Sequence, residues 1–188
     1  FDFLGTDRTK IATDDQFNMV KQHIRNHHID ALIIVGGDDS NTNALYLANA
    51  LYGECDVIGV PKTIDGDLRM MPYLSITFGF HSATQHYTEL VKALIIDSNA
   101  TGKYWHIVKL MGRAASHVTL EVCLQAQPHA SVLSEEIADN QWNLNDLIEY
   151  FSSVIIDRYE QGQPYGVIVF PEGIMDVIPE FKAMLDGE

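Results

Sequence analysis

The sequence predicts an α/β fold, a doubly wound, mostly parallel sheet with helices on both faces. Three observations lead there. Short runs that are apolar throughout alternate with longer helical stretches. Those runs lack the polar alternation of a half-exposed strand, so each belongs in a sheet covered on both sides. Four of the five are followed by a polar, glycine-containing loop, where ligands bind in open parallel sheets. At 188 residues the chain is long enough for one sizeable core, or for one domain and part of a second.

Taken in order, the first element is a helix over Asp14–Asn26, with Asp14 and Asp15 in the turn where carboxylates meet the positive end of the helix dipole. A strand follows at Ala31–Val35, then a helix at Asn43–Leu51 and a strand at Asp56–Val60. Phe80, Ala83, Tyr87, Leu90, Val91, Leu94 and Ile95 recur at a helical period and predict a helix over His81–Ile96. Strands at Tyr104–Leu110, Ala130–Leu133 and Gly166–Phe170 alternate with helices at Ala115–Gln125 and Leu144–Gln161. There is no repeat, linker or low-complexity segment. The reading is one α/β region over 1–188, spanning one lobe over about 1–100 and part of another over about 101–188.

A formal net charge of -14 argues against a nucleic-acid surface, which needs a basic stripe. It leaves a phosphorylated substrate open, because a few local cations and a metal can override net charge. No apolar span of membrane length occurs, so no membrane partner is expected. Cys55 and Cys123 form no CxxC pair and read as buried free thiols, which suits a cytoplasmic location. The chain opens on FDFLGTDRTK and closes on MLDGE, and is expected to be a fragment of a larger chain.

The chemistry lies in the strand-end loops. GGDDS follows the first strand, PKTIDGD the second, MGR the third and PEG the last. Alone, GGDDS is equally a glycine turn with Ser40 capping a helix. PKTIDGD adds Asp65 and Asp67 at i, i+2 beside Lys62 and Thr63, so two carboxylates, a cation and a hydroxyl share one loop. Carboxylates with phosphate oxygens and water are the ligands Mg²⁺ prefers. Asp38 is expected to join them across the cleft where the four loops converge.

These residues resemble the phosphofructokinase family. Gly36-Gly37-Asp38, Pro61 to Asp67, Met111-Gly112-Arg113 and Glu172 stand in the family's order at the expected strand ends, and FLGTDR (Phe3–Arg8) is similar to a further family segment. Asp39 and Lys62 resemble the pyrophosphate-dependent branch, against GGDGS and PGTIDND in ATP-dependent members. A carboxylate at Asp39 would fill and charge the space of a nucleotide α-phosphate. Lys62 offers a compact cation to a bare diphosphate.

The resemblance implies glycolytic phosphoryl transfer from pyrophosphate to the 1-hydroxyl of fructose 6-phosphate, with Mg²⁺ as cofactor. Asp65 would be the base, Asp38 the metal acid, and Asp67 the acid that organises metal and substrate. Thr63 and Arg113 would contact the transferring phosphate, Gly37, Met111 and Gly112 the substrates, and Glu172 a sugar hydroxyl. ATP-type members carry an arginine seven residues before the methionine of MGR, reaching a neighbouring subunit's sugar phosphate. Here that position is Tyr104, with Lys103 beside it. A homo- or hetero-oligomer with sites near subunit interfaces is implied. The family's upstream glycine-rich loop and later phosphate-binding residues lie outside this sequence.

Other signals carry less. His23 and His27, at i, i+4, lack a matching carboxylate or cysteine and read as an exposed helix face. Tyr87, Tyr150 and Phe151 read as helix-core residues, and His117 as a residue beside MGR. The alternatives to a pyrophosphate-dependent enzyme are an ATP-dependent member and a non-catalytic regulatory subunit. The presence of all three acids, Asp38, Asp65 and Asp67, argues against the last.

Overall fold

A computed structural model describes residues 9–68 and 77–187. The FLGTDR segment at Phe3–Arg8 lies outside the described residues. The chain divides into two compact units, Phe1–Thr63 and Ile64–Glu188. The lobe limit expected near residue 100 falls inside the second.

In the first unit, helix α1 (Asp14–Asn26) starts at a capping box. The Thr13 hydroxyl accepts from the Gln16 N–H, and the Gln16 side chain accepts from the Thr13 N–H. Strand β1 (Ala31–Gly36) pairs in parallel with β2 (Asp56–Thr63), from Ala31 opposite Asp56 to Gly36 opposite Pro61. Helix α2 (Asp38–Ala50) connects them. Ile24, Leu47, Leu51 and Cys55 form the core, with Leu32, Ile34 and Val57 of the strands against it. That is one face of the pair. The opposite face carries Ile33, Val35 and Ile58, each more than half exposed.

The second unit shows the two-sided cover that the pattern predicts. The two-residue strand β3 (Phe78–Gly79) leads into α3 (Phe80–Thr101), then β4 (Trp105–Leu110), α4 (His117–Ala126), β5 (Ala130–Ser131), α5 (Ser134–Asp139), α6 (Leu144–Glu160) and β6 (Gly166–Pro171). Two short helices, α7 (Ile174–Val177) and α8 (Pro179–Asp186), follow. Strand β6 lies between β4 and β5, all parallel. On one face α3 and α4 bury Val91, Val118 and Val122 against Leu110, Val167 and Val169. On the other, Ile137, Leu147, Ile174 and Ile178 pack with Phe170. Tyr87 joins the first cluster and Tyr150 and Phe151 the second, as expected of helix-core residues.

Several expected boundaries shift, each for a physical reason. Helix α2 begins at Asp38 rather than Asn43, because Gly37 takes extended backbone (φ -73, ψ -164) as its N-cap. Ser40 is therefore inside the first turn and caps nothing. Strand β2 runs on through Thr63, two residues past the end of its register with β1 at Pro61. Lys62 and Thr63 are strand residues, not loop residues. The strand at Ala130–Leu133 is only two residues long, since α5 opens at Ser134. Helix α3 packs through most of its apolar stripe, Phe80, Tyr87, Val91, Leu94 and Ile95, but its buried face also takes in small polar residues. Leu90 is half exposed, while Thr84, Thr88 and Ser98 are buried. Thr84 meets the burial cost by donating to the His81 carbonyl at 3.0 Å.

Candidate active site

The first unit contributes a glycine turn that runs directly into a helix. A Cβ on Gly36 would lie 2.4 Å from the Ser40 side chain, so only glycine lets the turn fold back so closely. Gly59 of β2 has the same role, since a Cβ there would meet the Asn41 amide oxygen at 2.5 Å. The Asn41 amide donates to both glycine carbonyls, of Gly36 and Gly37, at 2.8 Å each. This neutral brace fixes the start of α2. Asp38 and Asp39 follow, exposed and in the first turn. Their charges favour the helix itself, and they occupy the dipole end that would otherwise draw an anion.

Asp39 accepts from the Lys10 ammonium at 2.7 Å. That hydrogen bond and its charge hold Lys10 above the ordinary ammonium range, with a smaller pull from Asp38. Asp39 also lines a cavity of about 750 Å³ with Ile11, Phe17, Asn43 and Tyr46. With its amide turned to suit, Asn43 bonds both the N–H and the carbonyl of Ile11, so the segment at Lys10 and Ile11 is pinned to α2. Lys62, exposed near the end of β2, has its carbonyl 3.8 Å from where a Gly37 Cβ would stand. Gly37, Asp38, Asp39 and Lys62 thus belong to one unit and one end of the β1–β2 pair.

Asp65 and Asp67 open the second unit, on either side of Gly66. That glycine has φ +69, and a Cβ on it would lie 2.8 Å from the Phe80 ring and 3.5 Å from the His117 Cβ. The turn is therefore seated on the first residues of α3 and α4. Asp65 is half-buried and Asp67 exposed. Among the described residues no three His, Cys, Asp or Glu side chains gather as a metal site. The exposed carboxylates of Asp38 and Asp67 are nonetheless the hard oxygen donors that Mg²⁺ takes.

MGR and PEG, sixty residues apart in sequence, are bound together at the ends of β4 and β6. The Glu172 N–H donates to the Leu110 carbonyl at 2.8 Å, and the Gly173 N–H to the Gly112 carbonyl at 3.2 Å. Gly112 has φ +125, where a side chain would also meet the Ala115 carbonyl at 2.9 Å. After Arg113 the chain does not start a helix at once. Ser116 anchors it instead, its N–H donating to the Glu135 carboxylate at 2.9 Å and its hydroxyl accepting from the Ser134 N–H at 2.9 Å. Burial alone would raise the Glu135 carboxyl, but the hydrogen bonds from Ser116 outweigh it and hold the group below its ordinary range.

Arg113 lines a cavity of about 430 Å³ with Lys109, Glu172, Met175, Asp176 and Leu185. Its guanidinium is bound side-on by Asp176, Nε to Oδ2 at 2.7 Å and Nη2 to Oδ1 at 3.1 Å. This pairing keeps Arg113 above its ordinary range and Asp176 below it. The expected pair of Arg113 and Glu172 is thus brought to one cavity. Met111 is half exposed in the same turn. Lys103 and Tyr104 precede β4, at its opposite end from Met111, and six strand residues at about 3.3 Å each separate them. Tyr104 is tied there through its carbonyl, which accepts from Gly166 and Ser98.

Sequence reasoning missed Lys10, Lys109 and Asp176. Lys10 gives no local signal. Lys109 is a cation in an apolar strand two residues before MGR, and Asp176 an acid four residues after Glu172. Both were legible as oddities, but not as partners. Cys55 is buried and Cys123 half-buried, and burial pushes both thiols up, in keeping with unreactive side chains.

Known proteins resemble this chain over nearly its whole length. The profile of the family described as Phosphofructokinase matches residues 2–186. The pyrophosphate–fructose 6-phosphate 1-phosphotransferase of Entamoeba histolytica is 43% identical over 188 residues, covering 98% of this chain and 34% of that protein. The subunit beta 1 of the same-named protein of Arabidopsis thaliana is 43% identical, over 98% of this chain and 33% of its own length. The chain therefore spans about a third of the length of the curated relatives it matches. The crystal structure of a pyrophosphate-dependent phosphofructokinase from Marinobacter aquaeolei superposes with a TM-score of 0.67 at 22% identity, covering 98% of this chain and 48% of that one. That likeness shows the fold. No helix among the described residues is long and apolar enough to cross a membrane.

Proposed function

The chain belongs to the phosphofructokinase family, and from that premise we propose that it carries catalytic residues of a pyrophosphate-dependent, glycolytic 6-phosphofructokinase. One phosphoryl group moves from pyrophosphate to the 1-hydroxyl of fructose 6-phosphate. The observation that carries this reading is the pair of residues at the donor turn, Asp39 in the first turn of α2 and Lys62 at the end of β2. Their identity resembles that of the pyrophosphate-dependent branch. Relatives 43% identical to this chain bear names that specify the same donor and acceptor.

The roles follow the chemistry of each group. Asp65 takes the proton of the 1-hydroxyl as its oxygen attacks the phosphorus. The bond to the bridging oxygen breaks, and inorganic phosphate leaves. Arg113 and Thr63 stabilise the charge on the transferring group, while Met111, Gly112 and Glu172 hold the sugar. Such a reaction is mainly positioning and electrostatic stabilisation. Mg²⁺, with Asp38 as its protein acid and Asp67 assisting, would supply charge neutralisation on the phosphates. Lys103 and Tyr104, at the far end of β4 from MGR, would serve a neighbouring subunit, a reading that relatives named as beta subunits support. The setting is the cytoplasm.

ATP as donor has one observation in its favour. The cavity lined by Asp39, Phe17 and Tyr46 has a size within the range of ligand pockets. A donor assay on the complete polypeptide that the gene encodes separates the two. Turnover with pyrophosphate and Mg²⁺ is expected, and hardly any with ATP. Changing Asp39→Gly with Lys62→Gly should raise ATP use relative to pyrophosphate. A wild type that prefers ATP overturns the reading.

A further inference from the structure

The Arg113–Asp176 pair differs from an ordinary surface ion pair in how its two backbones are held. Exposed pairs are worth little, because two long side chains must be ordered to make them. Here the chain after Glu172 is already fixed to the MGR turn. The Gly173 N–H donates to the Gly112 carbonyl, and a Cβ on Gly173 would lie 2.5 Å from the Arg113 carbonyl and 2.8 Å from the Ser134 hydroxyl. Helix α7, which bears Asp176, starts at the next residue. Arg113 and Asp176 thus stand on segments that cannot move apart without breaking that contact.

The side of approach matters as much as the contact. A guanidinium offers two bidentate edges, Nε with Nη2 and Nη1 with Nη2. Asp176 takes the first, and neither of its bonds uses Nη1. We propose that Asp176 is a positioning residue for the phosphotransfer, holding Arg113 by its Nε–Nη2 edge so that the Nη1 end meets the phosphoryl group. This deepens the function proposed above and rests on it. Among the described residues, Glu172, Lys109 and Lys182 are further charged groups near the pair. Lys182 lies near enough to Asp176 to support its negative charge.

The test is a double-mutant cycle in the complete polypeptide, with Asp176→Asn, Arg113→Lys and both together. Asp176→Asn keeps the shape but loses the charge and one of the two acceptors. It should lower kcat about tenfold and leave the sugar KM within about twofold, the split expected of lost orientation. Added to Arg113→Lys, it should cost nothing further. Asp176→Glu should retain at least half of the wild-type kcat. Multiplying losses in the double variant, or an unchanged kcat in Asp176→Asn, overturn the proposal.

A binding measurement keeps it independent of turnover. In calorimetric titration with inorganic phosphate, Asp176→Asn should bind severalfold more weakly than wild type. Equal or tighter binding would mean that the carboxylate competes for Arg113 rather than orienting it. Should the wild type turn over with no donor, the functional reading fails, and this titration alone decides the role of Asp176.

Discussion

The two glycine turns of this chain, GGDDS in the first unit and MGR in the second, begin alike and end differently. Each leaves a parallel strand through a glycine that excludes a side chain. At GGDDS the helix starts at once, so Asp38 and Asp39 are locked into its first turn and Asn41, a neutral amide, braces the glycine carbonyls. At MGR three residues separate Arg113 from α4, and a buried serine–carboxylate contact does the bracing. The first arrangement presents acids on a rigid helix end. The second frees a long cation to be held by Asp176 of helix α7. Immediate helix initiation suits groups that must not move; delayed initiation lets tertiary contacts choose the orientation.

The largest expected effect tests the division of labour between acids of the two units. Asp65→Ala should reduce kcat by about 10²–10⁴-fold with a smaller change in KM, the usual scale of general-base help. Asp38→Ala should instead raise the Mg²⁺ concentration needed for half-maximal rate. Near-normal turnover in Asp65→Ala would move the base role to Asp67.

Next comes the backbone of the turns themselves. Gly112 has φ +125 and a carbonyl oxygen 2.9 Å from any added Cβ. Gly112→Ala should therefore cost about 1–3 kcal/mol, the scale of a non-glycine residue held in a strained region. Gly37→Ala meets nothing closer than 3.8 Å at φ -73 and should cost under about 1 kcal/mol. Thermal unfolding of the two variants checks the order, and a reversed order would break the comparison.

The smallest effect concerns pH. Glu135 is depressed in the folded state, so the stability it confers is fully present above the ordinary carboxyl range. It is lost as pH falls through the folded value beneath it. Asn41 does not titrate. Acidification below about pH 4 should accordingly lower the protection of amides at the start of α4, relative to their intrinsic exchange, more in the wild type than in Glu135→Gln, which lacks the step. An identical acid response in wild type and variant would remove Glu135 as the titrating brace.

How much of this was legible in the sequence depends on the range of the interaction involved. Strand and helix identity came from periodicity, a local property, and the order of GGDD, PKTIDGD, MGR and PEG at strand ends followed from it. Boundaries moved where a distant partner decided them. Strand β2 lengthened because β1 supplies register as far as Pro61, and the packed face of α3 widened to include Thr84, Thr88 and Ser98, which are small enough for close packing. The same distinction governs the site. Residue types and spacing marked Asp38, Lys62, Asp65 and Asp67, because the chemistry of phosphate and metal is written in side chains, and the resemblance to the phosphofructokinase family added Asp39, Arg113 and Glu172. Only the tertiary structure joined Lys10 to Asp39 across 29 residues and Arg113 to Asp176 across 63. A salt bridge leaves no periodic trace, and its partners are chosen by where the folded backbone happens to bring two side chains within 3 Å.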